Sequence, residues 1–399
     1  QIMNTSIDKQ FDGKFSVENR YDYLNLNTCR FLWKQVKFPL AADASNAAVQ
    51  VLKEGEVQGS DVAAHSAGVL DIRTNILADT DALYLTAIDK YGHELWRWTF
   101  PVEKLNQQSE PISFLSIRPT YTETENDLIV KANKRTFIFS KKDGQLKGVS
   151  VDNRKISFAN GPRFIGARRA DRSLDQFYNH DDEKAKEKDR TYSEFPDAAV
   201  FTKLDVKQDG GDLIVTANYK LGNLDKAQWT INPSGDLALD YTYNFSGVVD
   251  LMGIRFDYPE DQVISKRWLG AGPYRVWQNR IHGTQYDIWE NDYNDPIPGE
   301  TFTYPEFKGY FGNVSWMNIQ TKEGTISLTN ETPDTYIGVY QPRDGRDRLL
   351  YTLPESGISV LNVIPPVRNK VNSTDLCGPS SQPKWVNGPQ TGRVIFRFM

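Results

Sequence analysis

The sequence predicts an all-β chain whose strands run antiparallel in two packed layers. Short segments of alternating polar and apolar residues recur between turn signals along nearly the whole chain. No segment carries an apolar stripe at helical spacing for three turns. A third observation bears on function: Trp268, Trp277, Trp289 and Trp316 share one stretch with the tyrosines and phenylalanines from Tyr286 to Phe311, broken by Gly272-Pro273 and Pro298-Gly299. Such rings either fill a large β core or offer flat apolar faces to a ligand such as a pyranose, and the core is the commoner fate.

A first module runs from Phe11 to about Arg118. Lys14-Phe-Ser-Val-Glu18 opens it with β-formers, and Thr28 to Lys34 alternates so that Cys29, Phe31 and Trp33 share a face. Leu83, Leu85 and Ala87 alternate with Tyr84, Thr86 and Ile88, and the turn Lys90-Tyr-Gly-His93 leads into a strand at Glu94 to Trp98. Short strands at this spacing over ~100 residues predict an immunoglobulin-like sandwich. Polar residues with Pro111 and Pro119 mark the join, which places the domains at residues 1–122 and 123–399.

The second module opens with hairpins. Leu128 to Ala132 and Thr136 to Ser140 read as strands, and the turn at Lys142-Asp-Gly144 precedes another at Leu146 to Ser150. Further strands are expected at Leu213–Tyr219, Ala227–Ile231, Met252–Phe256, Tyr336–Tyr340, Ile358–Leu361 and Gly392–Phe398. The clearest is Asp236–Phe245, which puts Leu237, Leu239, Tyr241, Tyr243 and Phe245 on one face. Pro365 to Gln382 reads as a long irregular loop, a kind of segment that often carries function.

At 399 residues the chain is long enough for two or three domains. Its 47 basic and 52 acidic side chains leave a formal charge of −5 with no basic block, so nucleic acid is not an expected partner. The charge run Asp181 to Arg190 alternates in sign, as a solvated segment does. No run approaches the ~20 apolar residues of a membrane-spanning helix, so no membrane partner is expected. Cys29 and Cys377 make neither a disulfide framework nor a metal-ligand spacing. The chain starts at Gln1 without a charged-then-apolar leader, which fits a processed terminus or a piece of a longer polypeptide and is compatible with a periplasmic or extracellular location. The sequons at Asn244, Asn313, Asn330 and Asn372 are triplets that arise often by chance.

Glu290, Asp292, Asp295, Glu300 and Glu306 crowd the aromatic stretch, so a glycosidase pair is conceivable. Spacing within a loop says nothing about separation in space, and a solvated loop with Glu306 as a buried acceptor is the simpler reading. Of the four histidines, His65, His93, His180 and His282, only two sit near other chemistry. His180 lies beside Asn179, Asp181 and Asp182, which lack the ligand ladder of a calcium loop, and His282 is a candidate acid. No metal or cofactor is expected, for no metal-ligand spacing, phosphate loop, serine elbow or dinucleotide fingerprint occurs.

The aromatic stretch also carries a resemblance. Trp268-Leu-Gly-Ala-Gly-Pro273, Asn279-Arg280, Tyr304-Pro-Glu-Phe-Lys-Gly309 and Val314-Ser-Trp316 resemble the C-terminal, small-chain domain of β-galactosidases of glycoside hydrolase family 2. Asn279 stands where that family usually has Asp, and Pro305-Glu306 lacks the family's intervening Gln. Phe137 to Ile156, Gly161-Pro-Arg-Phe164 and Met252-Gly-Ile-Arg-Phe256 resemble other parts of the same domain, although Arg168-Arg-Ala-Asp171 replaces its longer polar motif. Asn19 to Lys34 resembles the opening of the β-sandwich that precedes it in the family.

The resemblance covers nearly the whole sequence and implies a galactose mutarotase-like supersandwich for residues 123–399. Family 2 enzymes cleave glycosides with two glutamates on a (β/α)8 barrel of about 250 residues, and no such alternation of strands and helices is present here. The resemblance therefore implies a non-catalytic C-terminal region of a β-galactosidase-like hydrolase, with no catalytic residue of its own, partnered by an upstream barrel and a carbohydrate. It implies that Trp277, Arg280, His282, Trp289, Glu306 and Trp385 reach the rim of the sugar site, Trp385 standing nearest to a family tryptophan in the loop before the last strand. Two alternatives stand beside it: a freestanding carbohydrate-binding module, and an epimerase-like enzyme using His180 or His282 as acid and Glu306 as base.

Overall fold

The structure is a computed structural model that describes residues 1–4, 6–41, 47–102, 117–169, 192–292, 309–340, 356–366 and 378–399. Among the described residues there is no α-helix, only β-strands and short 3-10 turns, and the described strand pairs are antiparallel. The all-β, antiparallel expectation holds. The protein divides into two compact units, the first Gln1–Pro111 with Gln285–Ile288 and the second Ile112–Thr284 with Trp289–Met399.

In the first unit β1 (Lys14–Glu18) pairs with β4 (Ala67–Asp71), and a four-stranded sheet runs β3 (Gln50–Gln58), β2 (Arg30–Lys37), β5 (Ala82–Ile88), β6 (Glu94–Pro101). Alternation explains the core. Cys29, Phe31 and Trp33 are all buried, and with Leu83, Leu85 and Ala87 they meet Phe15, Val17 and Leu70 from the two-stranded sheet.

The second unit holds two large sheets. One runs β21 (Phe311–Gly312), β24 (Tyr336–Tyr340), β25 (Gly357–Val363), β18 (Leu251–Asp257), β12 (Ala159–Arg169), β10 (Leu146–Val151), β9 (Arg135–Ser140), β8 (Asp127–Ala132), β7 (Thr120–Glu123). Two short strands join off that path, β11 (Arg154–Ile156) on β10 and β13 (Tyr192–Glu194) on β12. The other runs β14 (Val200–Asp209), β15 (Asp212–Lys220), β16 (Leu224–Ile231), β17 (Leu237–Val249), β26 (Lys384–Phe398), β23 (Gly324–Asn330), β22 (Trp316–Thr321), β19 (Val263–Gly272), β20 (Gln285–Asp292).

The inner faces of the two sheets share one core. Phe139 of the first packs on Trp229 of the second with centroids 5.9 Å apart, and Phe158 lies 5.0 Å from Phe396. Leu237, Leu239, Tyr241 and Tyr243 are buried as the alternation on β17 requires, while Phe245, next in the series, is only half-buried.

Two expectations need correction. The closing strand begins at Lys384 rather than Gly392, so Trp385 lies on that strand and not in a loop before it. Its first half, with Gly388 and Pro389 among polar residues, is held by a long partner: β26 pairs residue for residue with β17 from Leu237–Phe396 to Val249–Lys384. In addition, Thr120–Glu123 pairs with β8, from Thr120–Lys131 to Glu123–Leu128, so those residues belong to the second unit's sheet.

Candidate functional site

The aromatic stretch separates into buried rings and an exposed edge. Trp268 on β19 is fully buried; its indole Nε1 donates to the Ala271 carbonyl at 3.0 Å, and its ring meets Phe311 edge-on at 4.9 Å. Trp316 is buried as well. Phe311 also lies beneath two buried cations, with the Arg275 guanidinium 5.3 Å and the Lys266 ammonium 5.9 Å from its ring centre.

Trp277 is buried, against its expected place on an open sugar platform. Its ring packs edge-on against Tyr310 at 5.5 Å, in a small cluster with Ile165, Ala167, Leu251, Val276, Leu361 and Ile364. Trp289 on β20 is half-buried. Its Nε1 donates to the Gly270 carbonyl at 3.2 Å, and its ring lies so close to Gly272 that a Cβ there would come within 2.5 Å of it. The glycine between Ala271 and Pro273 is thus a packing requirement.

The exposed edge begins three residues past Trp277. A tight turn closes where the Arg280 N–H donates to the Trp277 carbonyl at 2.8 Å, and it leaves Arg280, Ile281 and His282 at the surface. Tyr274 is also exposed. Two side chains of this turn reach a distant segment. Gln278 Nε2 donates to the carbonyls of Ser380 at 2.9 Å and Gln382 at 2.7 Å, and Asn279 Nδ2 donates to Ser381 Oγ at 3.0 Å. Those acceptors form the 3-10 turn Pro379–Ser381 that leads into β26, where Trp385 is 71% exposed.

Of the expected rim residues, Trp277 and Arg280 share the first turn, with Trp277 as an internal anchor, His282 lies two residues beyond it, and Trp385 lies three residues past the segment that Gln278 and Asn279 bond. Glu306, Asp295 and Glu300 lie outside the described residues, as do His180, Asn179, Asp181, Asp182 and Cys377. Glu290 is engaged in an ion pair with Arg267. Among the described residues no group of three or more His, Cys, Asp or Glu side chains could hold a metal ion. No helix there is long and apolar enough to cross a membrane. An exposed indole can stack on a sugar's C–H face, and an exposed guanidinium or imidazole can hydrogen-bond its hydroxyls.

Sequence reasoning missed the roles of Gln278 and of the Ser380–Gln382 backbone. The two partners of the first contact are 102 residues apart, and neither belongs to a residue type that draws attention.

Residues 131–363, more than half of the sequence, match the family described as beta galactosidase small chain. The protein belongs to the beta galactosidase small chain family. The small-chain match begins within β8 and ends with β25, so it takes in the whole aromatic stretch and stops before Trp385. No curated protein matches the sequence. Among solved structures, the protein is similar to a galactose 1-epimerase from Lactobacillus acidophilus NCFM at 9% identity and a TM-score of 0.39, over 71% of this chain and 99% of that one. It is similar to a GalM/aldose epimerase homologue from C. elegans at 8% identity and a TM-score of 0.32, over 70% and 99%. A copper-containing benzylamine oxidase from Hansenula polymorpha matches at 7% identity and a TM-score of 0.28, over 92% and 77%. The small-chain assignment rests on the family match and not on these likenesses.

Proposed function

We propose that this protein is the non-catalytic, carbohydrate-facing region of a family 2 β-galactosidase-like glycoside hydrolase. Its second unit packs on a catalytic (β/α)8 barrel carried elsewhere on the polypeptide, and Arg280, His282 and Trp385, supported by Trp277 and Trp289, border the sugar site; Glu306 is assigned to the same rim. The observation that carries this reading is the exposed Trp385, three residues past a segment that Gln278 of the 277–280 turn holds by hydrogen bonds, in a member of the small-chain family. The hydrolytic carboxylates then belong to the barrel, and residues 1–399 contribute shape and stacking.

The test is hydrolysis of p-nitrophenyl β-galactoside. Residues 1–399 alone are expected to release no p-nitrophenol, and a polypeptide that also holds the barrel is expected to release it. Turnover by residues 1–399 alone would overturn the proposal. The 71% exposure of Trp385 also favours a second reading, a freestanding carbohydrate-binding module. Saturable lactose binding by residues 1–399, with no change in turnover when a barrel is supplied, would select that reading.

A further inference from the structure

The two exposed turns depend on one carboxamide. The 3-10 turn Pro379–Ser381 is three residues long, has no side-chain cap at Gly378, and closes only through Ser381 N–H to the Gly378 carbonyl and Gln382 N–H to the Pro379 carbonyl. A turn that short has no stability of its own, and its position is set by what holds it from outside. Gln278 holds it. Both hydrogens of its side-chain nitrogen go to carbonyl oxygens, those of Ser380 and Gln382, which also fixes which way the amide points.

Gln278 is itself well anchored. Its backbone N–H donates to the Pro365 carbonyl at 3.1 Å, and the preceding residue is Trp277, whose buried ring packs against Tyr310. The amide is buried, and its oxygen has no hydrogen-bond partner among the described residues. Its hold on the turn is thus made entirely through the nitrogen. Asn279 adds a weaker tie through Ser381. A path of direct contacts therefore runs from the Trp277 ring through Gln278 to the 379–382 backbone, and three residues further to Trp385.

We infer that Gln278 is the positioning residue of the rim: it does not touch the sugar, but it fixes the turn that enters β26 and, with the β17 partners of Lys384 and Trp385, the orientation in which Trp385 is presented. This rests on the reading of Trp385 as a sugar-stacking residue. Gln278→Glu is the matched substitution, because it keeps size and shape, removes both donors, and sets a carboxylate against two carbonyl oxygens. Protonation of that glutamate returns one O–H donor, so the defect should lessen as pH falls.

The experiment is a titration of the 1–399 protein with lactose, followed by tryptophan fluorescence, on wild type, Q278E, W385A and the double variant. The expected result is a loss of affinity of about tenfold in Q278E. The double variant should bind no more weakly than W385A, because the two residues act as one unit. Losses that multiply would overturn the inference. If wild type binds no lactose, the freestanding-module reading fails and the positioning role is still decided by a second readout. The Trp385 part of the fluorescence anisotropy decay, taken as the difference between wild type and W385F, should become faster in Q278E and recover in part at acid pH; an unchanged decay would overturn the role. Should Q278E not fold, Asn279→Ala removes the smaller tie and should move the same decay in the same direction, and no movement there would count against the inference.

Discussion

Arg397 grips Asp236 with two parallel hydrogen bonds, Nε to Oδ1 at 2.6 Å and Nη2 to Oδ2 at 2.8 Å. The pair ties the entry to β17 to the end of β26, where Leu237 stands opposite Phe396. Burial works to raise the pKa of Asp236, but the bonds and charge of Arg397, the Asn232 amide and the charge of Arg135 outweigh it and hold the carboxyl below its usual range.

Asp236→Asn should therefore lower stability at neutral pH by about 2–3 kcal/mol, as loss of a partly buried charged partner does. A carboxyl whose folded pKa is depressed stabilises above its unfolded pKa, and that contribution is lost as pH falls through the folded value. Urea unfolding of wild type and variant should differ most at pH 7 and converge below about pH 4. A gap that persists undiminished at pH 3 would show that the ion pair is not its source.

Trp268 and Trp385 should respond oppositely to truncation. Trp268→Ala empties a fully buried site and removes the edge-on contact to Phe311, so a loss of about 3–5 kcal/mol is expected. Trp385→Ala, at an exposed position, should change stability by no more than about 0.5 kcal/mol. Chemical unfolding of the two variants side by side makes the check.

Tyr241 is buried, and its hydroxyl has no hydrogen-bond partner among the described residues. Burial also holds its phenol above its usual range. Tyr241→Phe keeps the ring and its stacking on Tyr243 while removing the unsatisfied oxygen, so the variant should be more stable by about 1 kcal/mol. A destabilised variant in thermal or urea unfolding would mean that the hydroxyl is satisfied by ordered water.

Gly357 opens β25 at φ +51°, and a Cβ there would lie 2.1 Å from the Phe256 carbonyl oxygen. Left-handed backbone and a clash with main chain act together, so Gly357→Ala should cost about 2 kcal/mol or more. Gly92, which also has positive φ but no atom within 4 Å of the added carbon, serves as the control, and Gly92→Ala should cost about 1 kcal/mol from the backbone alone.

Legibility followed burial. Strands with one strictly apolar face, such as the Leu237 to Tyr243 run and the Leu83, Leu85, Ala87 run, could be read directly because every second side chain enters the core. β3 and β14 could not, since their side chains are exposed or half-buried and carry no alternation strong enough to see. The aromatic density could not say which ring is buried and which is exposed: Trp277 and Trp385 are the same residue type with opposite exposure. The tie from Gln278 to Ser380 and Gln382 involves backbone acceptors a hundred residues away, and no local pattern encodes it.

The final strand lies in the interior of its sheet, with β17 on one side and β23 on the other. On a ribosome, β17 and β23 would both emerge long before the segment that joins them, each with an apolar inner face and an unsatisfied edge. The second unit cannot close its core until Phe396 and Phe398 have left the exit tunnel, so its collapse is a late, all-or-none event rather than a gradual one. A nascent polypeptide from which β26 has not yet emerged would expose two complementary sheet edges, which makes incomplete synthesis a stage at which this protein is prone to pair with a copy of itself.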